Sequence, residues 1–299
     1  MSDAFAKLYL EDAADDLPPV TAIALYNEFK ELTPPGSTGD RMIQKLADRL
    51  VGVDLLDRAI KLLKAQVQFR LKGIEKARVG AQLTLVHILA RQYAKAIKVL
   101  DSTDTENIPA PLLSQRRHLR ARALMALKQR ESALAVLNED KSRDAELLRA
   151  EIFWNTRNWS KASQSLHLLL RESGAKQSKN LDDIQKAYVL NFVIALTLSG
   201  NERGLRRARK DFSTKMAESR LKDAFSLVTA TTSNGILDYK LVKSRVMEAE
   251  KFQTFLAGYR ERLKKENLSD LVPRIAKPVA SNQSLPKKEQ SELAAISEQ

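Results

Sequence analysis

The chain contains no cysteine in its 299 residues. Disulfides, zinc–thiolate sites, iron–sulfur clusters and cysteine nucleophiles are therefore excluded. Histidine is nearly as scarce, with 3 copies. His87, His118 and His167 fall in three different helical stretches, and none has a second histidine at i+3 or i+4. The paired-histidine geometry that binds zinc on one helix face is thus missing. Glycine and proline are few, at 10 and 9, which argues against a turn-rich all-β fold. Long apolar runs are also lacking. The stretch 187–198 is among the most apolar, yet it is too short and too polar to span a bilayer. Residues 1–16 have neither the basic start nor the apolar core of a secretory signal.

Chemistry-bearing motifs are missing too. Gly36-Ser37-Thr38-Gly39 has two glycines, but no Lys-Ser/Thr follows and no strand precedes it, so it reads as a turn and not a phosphate loop. No Gly-x-Ser-x-Gly elbow occurs. Asp182-Asp183, and Asp54 with Asp57, read as acids at helix starts, where they complement the helix dipole. Asp54 is expected to be an N-cap. The sequence thus offers no catalytic set, no metal site and no cofactor site, and we expect a non-enzymatic protein with no cofactor.

What the chain does have is helical patterning and excess positive charge. Apolar residues make up 43% and charged residues 29%, with 50 Lys+Arg against 37 Asp+Glu and a net charge of +13. Apolar positions recur at three- and four-residue spacing almost throughout, which is the helical period. Pro18-Pro19 opens a helix over about 19–32. Further helices are expected over about 38–51 and 54–71, with Gly52 and Gly73 as breaks. The spacing then predicts helices over 74–90, 93–102, 111–127, 130–138, 143–156, 159–172, 181–199, 202–211 and 219–230, and a long one over 237–266. Tyr26, Phe29 and Phe69 read as core, as do Trp154 and Trp159, which flank one turn. The acidic segment 1–17 and the Pro-, Ser- and Lys-rich segment 267–299 are expected to be disordered.

Within 74–236 a theme recurs. Two helices can cross closely only where small residues meet. Tyr93-x-x-Ala96-x-x-x-Leu100, Arg130-x-x-Ala133-x-x-x-Leu137 and Trp159-x-x-Ala162-x-x-x-Leu166 share one order. Ala121 and Ala150 lie twelve residues before Ala133 and Ala162 and complete two small-residue pairs. Gly204 takes the small position in a weaker fourth copy. A tetratricopeptide (TPR) unit has about 34 residues in two antiparallel helices. The expected fold is all-α, a TPR-like α-solenoid of antiparallel helix pairs. Residues 18–73 form an N-terminal helical segment, 74–236 the degenerate repeats, and the 237–266 helix closes the stack.

The stretches 25–40 (LYNEFKELTPPGSTGD), 46–58 (LADRLVGVDLLDR) and 66–73 (QVQFRLKG) resemble the C-terminal region of large tetratricopeptide-repeat proteins of alphaproteobacteria. The resemblance covers roughly residues 18–265. It implies a scaffold, carries no catalytic residues, and implies a cell-envelope location if the chain is part of a longer exported protein. As written, the chain reads as cytoplasmic.

Three basic clusters stand out: Arg116, Arg117, Arg120 and Arg122; Arg203, Arg206, Arg207 and Lys210; and Arg260, Arg262, Lys264 and Lys265. The plain expectation for each is a solvated helix face, and His118, among arginines, is expected to be solvated as well. First helices of solenoid pairs usually line the concave face, so Arg117, Arg120, Arg149 and Arg157 are the candidate contacts for an acidic protein or peptide partner. The alternative is a basic helical nucleic-acid-binding protein using the 203–210 stripe.

Overall fold

The computed structural model describes residues 1–10 and 17–230. The expected 237–266 helix, the 267–299 tail and the third basic cluster lie outside the described residues. Among the described residues there are thirteen α-helices and no strand, so the described part of the chain is all-helical.

Helix α1 (Ser2–Leu10) corrects the first expectation. Residues 2–10 are not disordered but helical, and they bury Phe5, Ala6 and Tyr9. The net acidity of the segment hid this short apolar face. Tyr9 donates its hydroxyl to the carbonyl of Ala22 at 2.9 Å, in α2 (Pro19–Glu28). Burial pushes the phenol up to about 12, with Tyr26 adding to the shift and Arg49 opposing it. Tyr26 is half-buried, but Phe29 is 41% and Phe69 77% exposed, contrary to the expected core. Both phenylalanines stand where their helices end; Phe29 meets only Phe5 among the described rings, edge to face at 6.5 Å, and Phe69 is the last residue of its helix.

Ten helices then follow in close succession. They are α3 (Gly36–Gly52), α4 (Leu56–Phe69), α5 (Gly73–Leu89), α6 (Tyr93–Ser102) and α7 (Ala110–Ala126), then α8 (Arg130–Leu137), α9 (Arg143–Asn155), α10 (Trp159–Glu172), α11 (Asp183–Leu198) and α12 (Glu202–Met216). Helix α13 (Lys222–Ala230) packs on both α11 and α12. From α3 to α12 each helix packs on the next, and α5 also touches α7, as α7 touches α9. This is compatible with a solenoid-like stack. Helix α12 outlasts the expected 202–211 by five residues because Phe212 and Met216 extend its buried stripe.

One backbone turn recurs five times directly ahead of a helix among the described residues. Asp54, Arg91, Lys128, Arg157 and Gly200 all have φ between 57° and 69°. Each stands two residues before the helix that follows it. In each case the next N–H returns to a carbonyl five residues back: Leu55 to Leu50 and Gln92 to His87 at 2.8 Å, and Gln129 to Leu124, Asn158 to Phe153 and Asn201 to Leu196 at 2.9 Å. This closure satisfies carbonyls that a helix end leaves open. Asp54 is therefore not an N-cap. It is the left-handed residue of the turn, and Leu55 precedes α4 with no side-chain cap.

The turn sets a common register. Five residues after it stand Ala59, Ala96, Ala133 and Ala162, all 0% exposed. Nine residues after it stand Leu63, Leu100, Leu137 and Leu166, also buried. Ala121 and Ala150 are buried as well, and Ala47 lies twelve residues before Ala59 in the same relation. The unit thus begins at α3 and not at residue 74. Gly204 falls one residue short of the alanine register, where Leu205 stands instead. It still serves close approach, since a Cβ there would come within 2.8 Å of the Leu196 side chain. Gly80 does the same on α5, where a Cβ would collide with the Thr103 side chain.

The apolar interior falls into two clusters that divide at α9. Ala145, Leu148 and Ile152 belong to the first, and Ala150 and Trp154 to the second. Trp154 and Trp159 pack edge to face with ring centroids 5.3 Å apart, as expected of packing residues.

Candidate functional site

The four candidate arginines do not form one patch. Arg117 and Arg120 share a cleft of 440 Å³ with Leu113 of α7 and Ala135 and Val136 of α8. Arg120 donates to the Asp101 carboxylate at 2.6 Å. Arg117 makes no ion pair among the described residues. Arg149 pairs with Glu146 at 2.7 Å and donates to the carbonyls of Leu137 at 2.8 Å and Asp140 at 2.9 Å, so it fastens the end of α8 to α9. Arg157 is exposed but occupies the left-handed turn position.

The other two arginines of α7 are not a solvated face either. Arg116 is 5% exposed and donates to the carbonyls of Ala77 at 2.8 Å and Leu100 at 2.7 Å. Burial lowers its pKa, while Asp104 works the other way. Arg122 is paired with Glu151 of α9, both largely buried. These two residues stand six before their respective turns, Lys128 and Arg157. Equivalent positions of neighbouring units therefore meet. The sequence showed four arginines in seven residues, but a run cannot reveal which of them face neighbouring helices.

His118 is likewise buried, not solvated. Its Nε2 lies 2.8 Å from the Asp140 carboxylate. Asp140 also accepts from the Ser114 hydroxyl and from the Ser142 N–H at 2.8 Å. Burial by itself would raise the pKa of Asp140, but the hydrogen bonds from Ser114, Ser142 and His118 outweigh it and hold the carboxyl well below the usual carboxylate range. A nucleophilic triad needs the imidazole between hydroxyl and acid. Here the acid lies between Ser114 and His118, and the Ser142 hydroxyl is 3.5 Å from the same ring nitrogen that meets Asp140. The cluster acts as a clasp across α7, the α8–α9 connection and α9, where the Ser142 side chain caps the helix by accepting from the N–H of Ala145.

His87 is buried, as its apolar helix predicts, and its Nδ1 lies 3.1 Å from the Gln92 side chain. Asp182 caps α11 in a reciprocal box with Gln185, as expected of an acid at a helix start. On α12, Arg203, Arg207 and Lys210 are exposed, while Arg206 pairs with Glu202 at 3.3 Å. Among the described residues no group of three or more His, Asp or Glu is placed to hold a metal ion. No described helix is long and apolar enough to cross a membrane.

A site that the sequence did not flag lies between α4, α5 and α6. It is a cleft of 770 Å³. Lys61 and Lys64 project from α4, Lys76 from α5, and Lys95 and Lys98 from α6. One acid, Asp57, lines it. Its floor is apolar, from Ile60, Val67, Leu83 and Val99, with His87 at the base. Burial lowers the pKa of His87, and Lys95 and Lys64 lower it further against the Gln92 hydrogen bond. No linear run of basic residues marks this site, because its charge is gathered from three helices. The unit register is the signal that finds it: Lys61 and Lys98 both stand seven residues after their turns, Asp54 and Arg91. Comparison with protein-family models, curated proteins and solved structures finds no match to this chain.

Proposed function

We propose that the chain is a non-enzymatic protein–protein interaction scaffold, a TPR-like right-handed solenoid of antiparallel helix pairs that works within a larger assembly or a longer protein. The observation that carries this reading is the stacking of α5 on α7 and α7 on α9 in addition to their contacts with the helices that follow them. Alternate helices that touch in this way line an extended surface, and extended surfaces of stacked repeats bind peptides and helices of other proteins. The resemblance of residues 18–265 to alphaproteobacterial tetratricopeptide proteins points the same way.

A second reading, nucleic-acid binding, is favoured by one observation: Arg203, Arg207 and Lys210 lie exposed along α12. A cross-linked pull-down with and without nuclease separates the two. Under the scaffold reading, protein partners survive nuclease and are depleted by Arg117→Glu/Arg120→Glu, while Arg203→Glu/Arg207→Glu leaves them unchanged. Loss of all partners on nuclease treatment overturns the scaffold reading in favour of the second one. Equal recovery by the Arg117/Arg120 variant removes those two residues from the interface.

A further inference from the structure

We infer that the cleft between α4, α5 and α6 binds an acidic, amphipathic peptide segment of a partner protein, with carboxylates on the lysine walls and apolar side chains on the floor. The inference rests on the scaffold reading and gives that reading a site and a ligand chemistry. Three properties of the cleft carry it.

The first is charge. Five lysines face one aspartate across this cleft. None of the five is ion-paired within the described chain. That arrangement is repulsive until something anionic enters, because like charges held near one another raise the energy of the empty site. Several arginines elsewhere in the fold are neutralised by its own acids, as Arg70 is by Asp40 at 2.9 Å, Arg120 by Asp101 and Arg122 by Glu151. The lysine walls have no such partner and gather five like charges at one cleft.

The second is the floor. Half-buried Val99, the outer edges of Ile60 and Val67 and the aliphatic stems of the lysines give the occupant apolar surface to bury, with Leu83 packed beneath them. A phosphate or a phosphodiester backbone has nothing to place there. An amphipathic segment does, at the alternate or helical spacing that also aims its acids at the two walls.

The third is what the lining does not contain. No phenylalanine, tyrosine, tryptophan or arginine lines this cleft, and the imidazole of His87 at its base is buried. Bases of single-stranded nucleic acid stack on aromatic rings, and phosphates are gripped two-handedly by guanidinium groups. Lysine is a compact point charge on a flexible stem. Such charges tolerate carboxylates at varied spacing, which suits a peptide more than a fixed phosphate ladder. The volume of 770 Å³ suits a few side chains, not a folded domain.

The test is selection of a displayed library of random dodecapeptides on the full chain, followed by binding measurements on the enriched peptides. Enrichment of sequences that combine several Asp or Glu with Leu, Ile or Val is expected. Lys61→Glu/Lys98→Glu should weaken those peptides about tenfold or more, since attraction becomes repulsion at two wall positions. Both side chains are exposed, so folding should survive, and unchanged circular dichroism verifies it. Bound peptide should also shield Lys61, Lys64, Lys95 and Lys98 from an acetylating reagent. Acidic peptides that bind the reversed-charge chain equally well overturn the site, as does enrichment without acidic bias. If those peptides lose binding on Arg117→Glu instead, the scaffold reading stands and only this cleft falls. A single-stranded oligonucleotide that binds more tightly than every enriched peptide and loses binding on Lys61→Glu/Lys98→Glu reassigns the cleft to nucleic acid. An absence of any enriched peptide counts against both readings.

Discussion

Arg122 and Glu151 face each other across α7 and α9, and each keeps one buried atom without a hydrogen-bond partner among the described residues, Nε of the arginine and Oε2 of the glutamate. A buried pair of this kind is costly to break and cheap to replace as a whole. We expect Glu151→Leu alone to lower unfolding free energy by about 3 kcal/mol, because it strands the guanidinium. Arg122→Met/Glu151→Leu should recover most of that loss in urea titrations; Leu85 and Ile194 already supply apolar side chains at the same register position of other units. Asp140 yields a pH prediction. Its carboxyl sits below the usual range in the folded chain, so the unfolded chain binds the proton more readily. The associated stability is present above the unfolded carboxyl value of about 3.9 and is lost as pH falls below it. Urea midpoints at pH 6 and pH 3 should therefore fall further for the native chain than for Asp140→Asn. Residue types along the chain did not disclose either network. Arg116, Arg122 and His118 read as solvent-facing because their neighbours in sequence are charged, whereas their partners, Thr103, Glu151 and Asp140, arrive from other elements.

At the scale of elements, helices were the legible part. Observed bounds from α5 to α11 lie within about two residues of those set by apolar spacing, because each helix buries a stripe along its whole length. The buried alanines were legible for the same reason: a small residue at a helix crossing is a packing requirement. Turns were not legible. Four of the five left-handed positions hold Asp, Arg or Lys where glycine is usual, so no residue type announced them, and the α3–α4 unit went unseen. A non-glycine residue in that conformation costs on the order of 1 kcal/mol. Arg91→Gly, Lys128→Gly and Arg157→Gly should each stabilise the fold by about 0.5–1 kcal/mol, net of the greater freedom glycine has when unfolded. Thermal unfolding of the three single variants measures this; a fall in melting temperature in all three would show that the side chains contribute more than the backbone strain costs.

At the scale of the molecule, the apolar interior is in two parcels, and the seam at α9 is threaded by Arg122–Glu151 and Arg149–Glu146. Stability of stacked units is a sum over units and their interfaces, and a polar seam is where the sum is weakest. Both tryptophans, 154 and 159, belong to the second parcel or pack on it. Tryptophan fluorescence therefore reports that parcel, while far-ultraviolet circular dichroism reports all helices. The two denaturation curves should not coincide, and Glu151→Leu should separate them more; superimposable curves would show one cooperative unit. The lysine cleft belongs to this scale too, since only stacking gathers Lys61, Lys76 and Lys98 from three helices into one wall and floor. The five turns are spaced 37, 37, 29 and 43 residues apart. Arrays of equal modules can slide past one another by a whole module and settle out of step, a common failure of tandem sequences. Unequal intervals after the third turn leave a single alignment in which every alanine finds its groove, so the irregularity that blurs the repeat also guards it against slippage.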